Sequence, residues 1–249
     1  MRSYCVDLIN LIMIKNSLYT FYLYPSRFHL TSLSAGEKVF SYLKLLIFNW
    51  LCMIAFGVLI TTLLVNLGVM DEPVISSHKN IPKWNLIVLS GFVAPILEEI
   101  IFRNGLIFSV RNISLAIGTF FGVIIYKFFF YTHAADVRKE MFGAILSVVV
   151  SVCIFIACYI YLRKINFDLS IFFKANTRCL SIASSVLFAY IHIFNYQITP
   201  NFLLFSPLIL INYFIGGLIL SYIRVRDGFF YACAFHCIYN LVFLLIKFR

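Results

Sequence analysis

Glu98 and Glu99 stand side by side in the middle of an apolar stretch that begins at Trp84, with Arg103 following on the same stretch. An ionisable side chain near the centre of a bilayer costs roughly 2.5–3.5 kcal/mol on insertion scales, so adjacent carboxylates there point to a working polar site. Glu99 and Arg103 have the i,i+4 spacing that puts both on one helix face, where they can pair. Glu98 lies about 100° around the helix from Glu99. It is expected to face a separate cavity as the free carboxylate. A second apolar run carries His192, with Phe188 one turn earlier to pack under its ring. The last run carries His236 and Asn240, again one turn apart, able to offer hydrogen bonds to one point between helices. A carboxylate base, two imidazoles and an amide suffice for hydrolysis by an activated water. The base takes a proton as the water attacks a carbonyl, an effect of typically 10²–10⁴-fold. Donors aimed at the developing oxyanion stabilise it where water is scarce. The spacing suggests no Ser-His or Cys-His nucleophile.

Taken one at a time, these residues have plainer readings. The glutamate pair could be a proton relay or a helix–helix lock. Each histidine could be a satisfied polar contact, and Asn240 interhelical glue. Lys127 snorkels or pairs. The case for chemistry rests on their joint presence.

The elements that must hold them are helices in a membrane. Of the 249 residues, 62% are hydrophobic and 12% charged, against about 25% charged in a soluble domain. The fold class is all-α, a polytopic transmembrane bundle. About 20 apolar residues make a span, and seven such runs are expected. They cover 40–68, 85–110, 113–131, 142–162, 180–194, 202–223 and 229–246, the fifth being short. Ser34 and Glu37 have the spacing of a capping box that opens the first. Pro95, three residues before Glu98, should loosen the second. Residues 136–140 read as a charged linker and 163–178 as a basic loop. Gly216-Gly217 offers a place for close helix approach. Residues 1–35 form an N-terminal segment that can lie in the interface, and 36–249 the bundle, with the chemistry between 85 and 246. No internal repeat is visible.

The net charge of +10 does not imply nucleic acid, because the basic residues lie in short segments between spans. With loops assigned alternately, 11 Lys and Arg fall on the side of the N-terminus and 6 on the other, leaving Lys44, Arg103 and Lys127 within spans. The positive-inside rule then places the N-terminus in the cytoplasm, and the cell membrane is the expected location. The seven cysteines include no C-x-x-C pair and read as small packing residues.

Three motifs in order, Glu98-Glu99-Ile-Ile-Phe-Arg103, Phe188-Ala-Tyr-Ile-His192 and His236-Cys-Ile-Tyr-Asn240, resemble those of the CAAX protease and bacteriocin-processing (CPBP, or Abi) family of intramembrane proteases. The resemblance is to its type II CAAX prenyl endopeptidases and covers about 91–245. It implies an endopeptidase that cleaves a membrane-associated peptide, either a prenylated CAAX-type C-terminus or a leader. It implies that Glu98 activates the water with help from His192. His236 and Asn240 would stabilise the oxyanion, and Glu99 and Arg103 would order the site. A non-catalytic immunity or scaffold protein keeping the same fold is the alternative. No cofactor is expected. Two histidines and a glutamate leave zinc open, although the H-E-x-x-H helix of zincins is absent. The lipid bilayer and a membrane-associated peptide are the expected partners.

Overall fold

A computed structural model describes residues 18–23, 34–68, 83–133 and 137–247. The helices are α1 (Leu18–Leu23), α2 (Ala35–Cys52), α3 (Thr61–Asn66), α4 (Lys83–Val88), α5 (Ala94–Phe102), α6 (Val110–His133), α7 (Val137–Lys164), α8 (Ser170–Ile191), α9 (Pro200–Ile209), α10 (Ile211–Arg226) and α11 (Phe229–Lys247). Wider π-helical stretches, Met53–Ile60 and Leu89–Val93, link α2 to α3 and α4 to α5 without a break. Short 3-10 helices, Asn104–Leu106 and His192–Asn195, follow α5 and α8. Among the described residues, seven helical stretches are long and apolar enough to cross a membrane.

The first span opens as its sequence predicts. Ser34 accepts from the Glu37 backbone N–H, and the Glu37 carboxylate accepts from the Ser34 N–H at 2.8 Å. Other boundaries differ from expectation. Val137–Glu140 belongs to α7 rather than to a linker. The fifth span is not short: α8 starts at Ser170, so Lys174 and Arg178 lie on a helix. Its start is fixed by Asp168, whose carboxylate accepts from the Ser170 N–H at 2.7 Å. That backbone hydrogen bond holds the Asp168 carboxyl below its ordinary range. Charged residues obscured both starts, because long cationic side chains are tolerated on a helix end when they reach toward the interface. The sixth span is two helices, α9 and α10, parted at Leu210 three residues after Pro207.

The chain divides into two compact units. The first is built from described parts of Met1–Ile75 and from Ser181–Arg226. In it α1 is tied to α10 by the Tyr22 hydroxyl, which donates to the Leu218 carbonyl at 2.8 Å. Arg226 donates to Ser41 and Tyr222 at 3.0 and 2.8 Å. Asn49 lies over Gly216 and Asn212 beside Gly57, so each glycine gives room to an asparagine of the facing helix. Phe202 and Ile209 are buried among Leu64, Val65, Ile193, Tyr196 and Phe205.

The second unit contains Ser76–Leu180 and Asp227–Arg249. It has two seams of opposite character. Along one, α6 meets α7 through Gly118 and Gly122, one turn apart. A Cβ on Gly118 would stand 2.5 Å from the Ser151 carbonyl oxygen, and one on Gly122 would overlap the Ser151 hydroxyl. Small residues at this spacing let two backbones approach closely in lipid. Along the other, the stretch from Leu89 to Phe102 meets α11. Ser90 and Gly91 face Asn240 and Leu241, and Glu98 and Glu99 face His236. As numbers rise on one strand of contacts they fall on the other, so the pair is antiparallel.

Candidate active site

The glutamate helix ends abruptly after its polar residues. Arg103 caps α5, its backbone N–H closing the last turn on the Glu99 carbonyl at 3.0 Å. Asn112 secures the chain beyond, donating to the Ile107 carbonyl at 2.9 Å, while Asn104 donates to the Asn112 carbonyl at 3.4 Å. A cation at a helix C-terminus also complements the macrodipole there.

Glu99 and Arg103 are both fully buried, and Arg103 Nη1 lies 3.3 Å from Glu99 Oε1. The same oxygen accepts from His236 Nδ1 at 3.0 Å. The second ring nitrogen, Nε2, lies 3.6 Å from Glu98 Oε2. The Glu98 side chain is 26% exposed, while those of Glu99 and Arg103 are at 0%. The two carboxylates therefore do not serve separate surroundings, as their angular offset suggested; they grip one imidazole from its two nitrogens. Helix α11 supplies what a reading of α5 alone could not, a ring placed between the two faces.

Ionised Glu99 can only accept, so His236 Nδ1 carries hydrogen. Nε2 faces the partly exposed Glu98 carboxylate at 3.6 Å, beyond hydrogen-bond distance, with Glu99 and Arg103 as a buried ion pair on the other side of the ring.

Asn240 does not share a target with His236. Its Nδ2 donates to the Ser90 carbonyl at 2.9 Å, which leaves a second amide hydrogen on the same nitrogen. Both nitrogens of His236 are directed at carboxylates, Nδ1 at Glu99 and Nε2 at Glu98.

His192 belongs to the first unit. It stands where α8 tightens into a 3-10 turn. Its Nδ1 donates to the Phe188 carbonyl at 2.7 Å, which makes Nε2 the acceptor nitrogen of the neutral ring. Phe188 meets the ring edge-on at 4.6 Å between centroids. Tyr213 stacks on it at 4.2 Å and 29°. The Tyr213 hydroxyl lies 3.3 Å from that of Tyr196, whose phenol burial pushes above its ordinary range. Sequence reasoning anticipated Phe188 from its spacing. It passed over Tyr213, which lies on α10 and carries no signal beyond being one of 15 tyrosines.

Residues 80–242 match the family described as type II CAAX prenyl endopeptidase Rce1-like. The chain is a member of that family. No curated protein and no solved structure matches it. The Rce1-like region takes in Glu98, Glu99, Arg103, His192, His236 and Asn240, and it agrees with the resemblance carried by their three motifs. Rce1-like proteins are CAAX-type intramembrane proteases, and together with the seven apolar spans this makes the chain an integral, multi-pass membrane protein whose family acts on membrane-embedded peptides.

Proposed function

We propose that the protein is an intramembrane endopeptidase that hydrolyses a peptide bond in a membrane-associated substrate, a prenylated CAAX-type C-terminus or a leader, through a water activated by Glu98. The observation that carries this reading is the chain Arg103–Glu99–His236–Glu98, in which a buried ion pair orients an imidazole against a carboxylate that is partly exposed.

In the proposed reaction the water oxygen bonds to the carbonyl carbon of the scissile peptide as Glu98 takes a proton from it. The carbonyl π electrons move to oxygen. The free amide hydrogen of Asn240 and, when protonated, His236 Nε2 are the donors assigned to that oxyanion. Collapse breaks the carbon–nitrogen bond, and the proton held on the Glu98–His236 pair goes to the leaving amine. Glu99 and Arg103 touch no reacting atom and act by holding His236. His192 is assigned a part in the reaction, and its support is its place in the family motif. We also assign the N-terminus to the cytoplasm, on the distribution of Lys and Arg.

The test uses purified protein in liposomes and a farnesylated CAAX peptide that carries a quenched fluorophore, with mass spectrometry of the products. Wild type should release the C-terminal fragment and Glu98→Gln should not, while both melt at the same temperature. Equal cleavage by the two proteins would remove Glu98 from the proposed role.

A further inference from the structure

Two prolines interrupt apolar helices, and their freed carbonyls are satisfied in different ways. A proline inside a helix removes one N–H from the ladder, and in lipid the carbonyl it would have bonded must find another donor. At Pro207 the remedy is local. The carbonyl one turn back is that of Leu203, and the neighbouring Ser206 hydroxyl donates to it at 2.9 Å.

At Pro95 the remedy comes from far away. The ladder just before it runs in π register, since the Ala94 N–H donates to the Leu89 carbonyl five residues back. The next rung in that register would run from residue 95 to the Ser90 carbonyl, and proline has no N–H to make it. The Ser90 carbonyl accepts instead from Asn240 Nδ2. The next residue, Gly91, permits the approach, because a Cβ there would stand 2.7 Å from Leu241 Cδ2. Register, proline, glycine and asparagine thus converge on one backbone oxygen.

A primary amide is planar with two hydrogens on one nitrogen. Fixing one on Ser90 fixes the direction of the other. We propose that Pro95 is a positioning residue that acts through Asn240: by withholding the N–H that would close the Ser90 carbonyl, it creates the acceptor that aims Asn240's second hydrogen at the oxyanion. The inference rests on the peptidase reading above, in which that hydrogen is an oxyanion donor. It adds that the helix break in front of the glutamates orients a side chain on the last helix.

The variant is Pro95→Ala, which restores an N–H able to compete for Ser90 and suits a helix interior, so the protein should fold. With the farnesylated quenched peptide, kcat should fall by up to about 10²-fold with KM little changed, the scale of loss for a misdirected catalytic group. Asn240→Ala should lose more, and adding Pro95→Ala to it should cost almost nothing further, because the two act in series. Multiplying losses would overturn the proposal, since a proline that merely shapes the helix would act independently of Asn240. A second arm needs no activity. In protein labelled with ¹⁵N-asparagine in detergent micelles, the side-chain amide signals absent from Asn240→Asp belong to Asn240, and Pro95→Ala should shift them. Unshifted signals would overturn the proposal even where cleavage is impaired. A wild type that cuts no peptide would instead defeat the peptidase reading, and the amide signals would still decide whether Pro95 orients Asn240.

Discussion

The second unit sets two helix seams side by side, and they are built by opposite means. Between α6 and α7, glycines sit against serine backbone and the contact is steric. Where the glutamate helix meets α11, charged groups, an imidazole and an amide meet through an ion pair and hydrogen bonds. Close packing of small residues draws helices together with no polar group to satisfy, so such a seam asks only for room. Buried charges are costly unless fully partnered, and breaking one partner leaves the other exposed to a medium that cannot solvate it. The first seam rests on packing alone; the second rests on charges that must stay partnered.

The contrast is open to direct attack. The largest effect belongs to Glu98→Gln, where loss of the base should cost about 10²–10⁴-fold in peptide cleavage with the melting temperature unchanged. Next comes Glu99→Ala, which removes the carboxylate paired with a buried guanidinium. Unfolding in detergent should show a loss of about 3–5 kcal/mol, part of which Glu99→Ala combined with Arg103→Ala should recover. Across the molecule's other seam, Gly118→Ala should cost about 1–3 kcal/mol through overpacking, while cleavage per folded molecule stays at the wild-type level. A change in kcat from that variant would show that the two seams are not separate in purpose. The smallest effect is Ser147→Ala. Its hydroxyl bonds the Ala144 carbonyl of its own helix, so the same unfolding measurement should register about 1 kcal/mol or less.

Periodicity and composition made the helical membrane fold legible, and the three motifs made the family legible. The capping box at Ser34 and the pairing of Glu99 with Arg103 followed from spacing alone, because each is a local event within one helix. What lay hidden needed a partner from elsewhere in the chain. The angle between Glu98 and Glu99 predicted two separate surroundings, and His236, 137 residues from Glu99, joins them. The stacking of Tyr213 on His192 and the hold of Asn240 on Ser90 were invisible for the same reason. Helix starts at Val137 and Ser170 were misread because charged residues resemble a loop when burial is unknown. Residues 1–17 and 24–33, most of the expected interfacial segment, lie outside the described structure.

The pairing of Glu99 with Arg103 has a bearing on how the chain is made. Both belong to one segment, so they can neutralise each other as soon as that segment winds up in the translocation machinery. The final histidine emerges later, by roughly 7–27 seconds at about 5–20 residues per second. During that wait Glu99 enters the lipid already paired, while Glu98 still awaits its histidine. Moving the arginine to a different segment would leave Glu99 to enter the lipid unaccompanied, and the defect would appear at insertion, before any fold existed to be unstable.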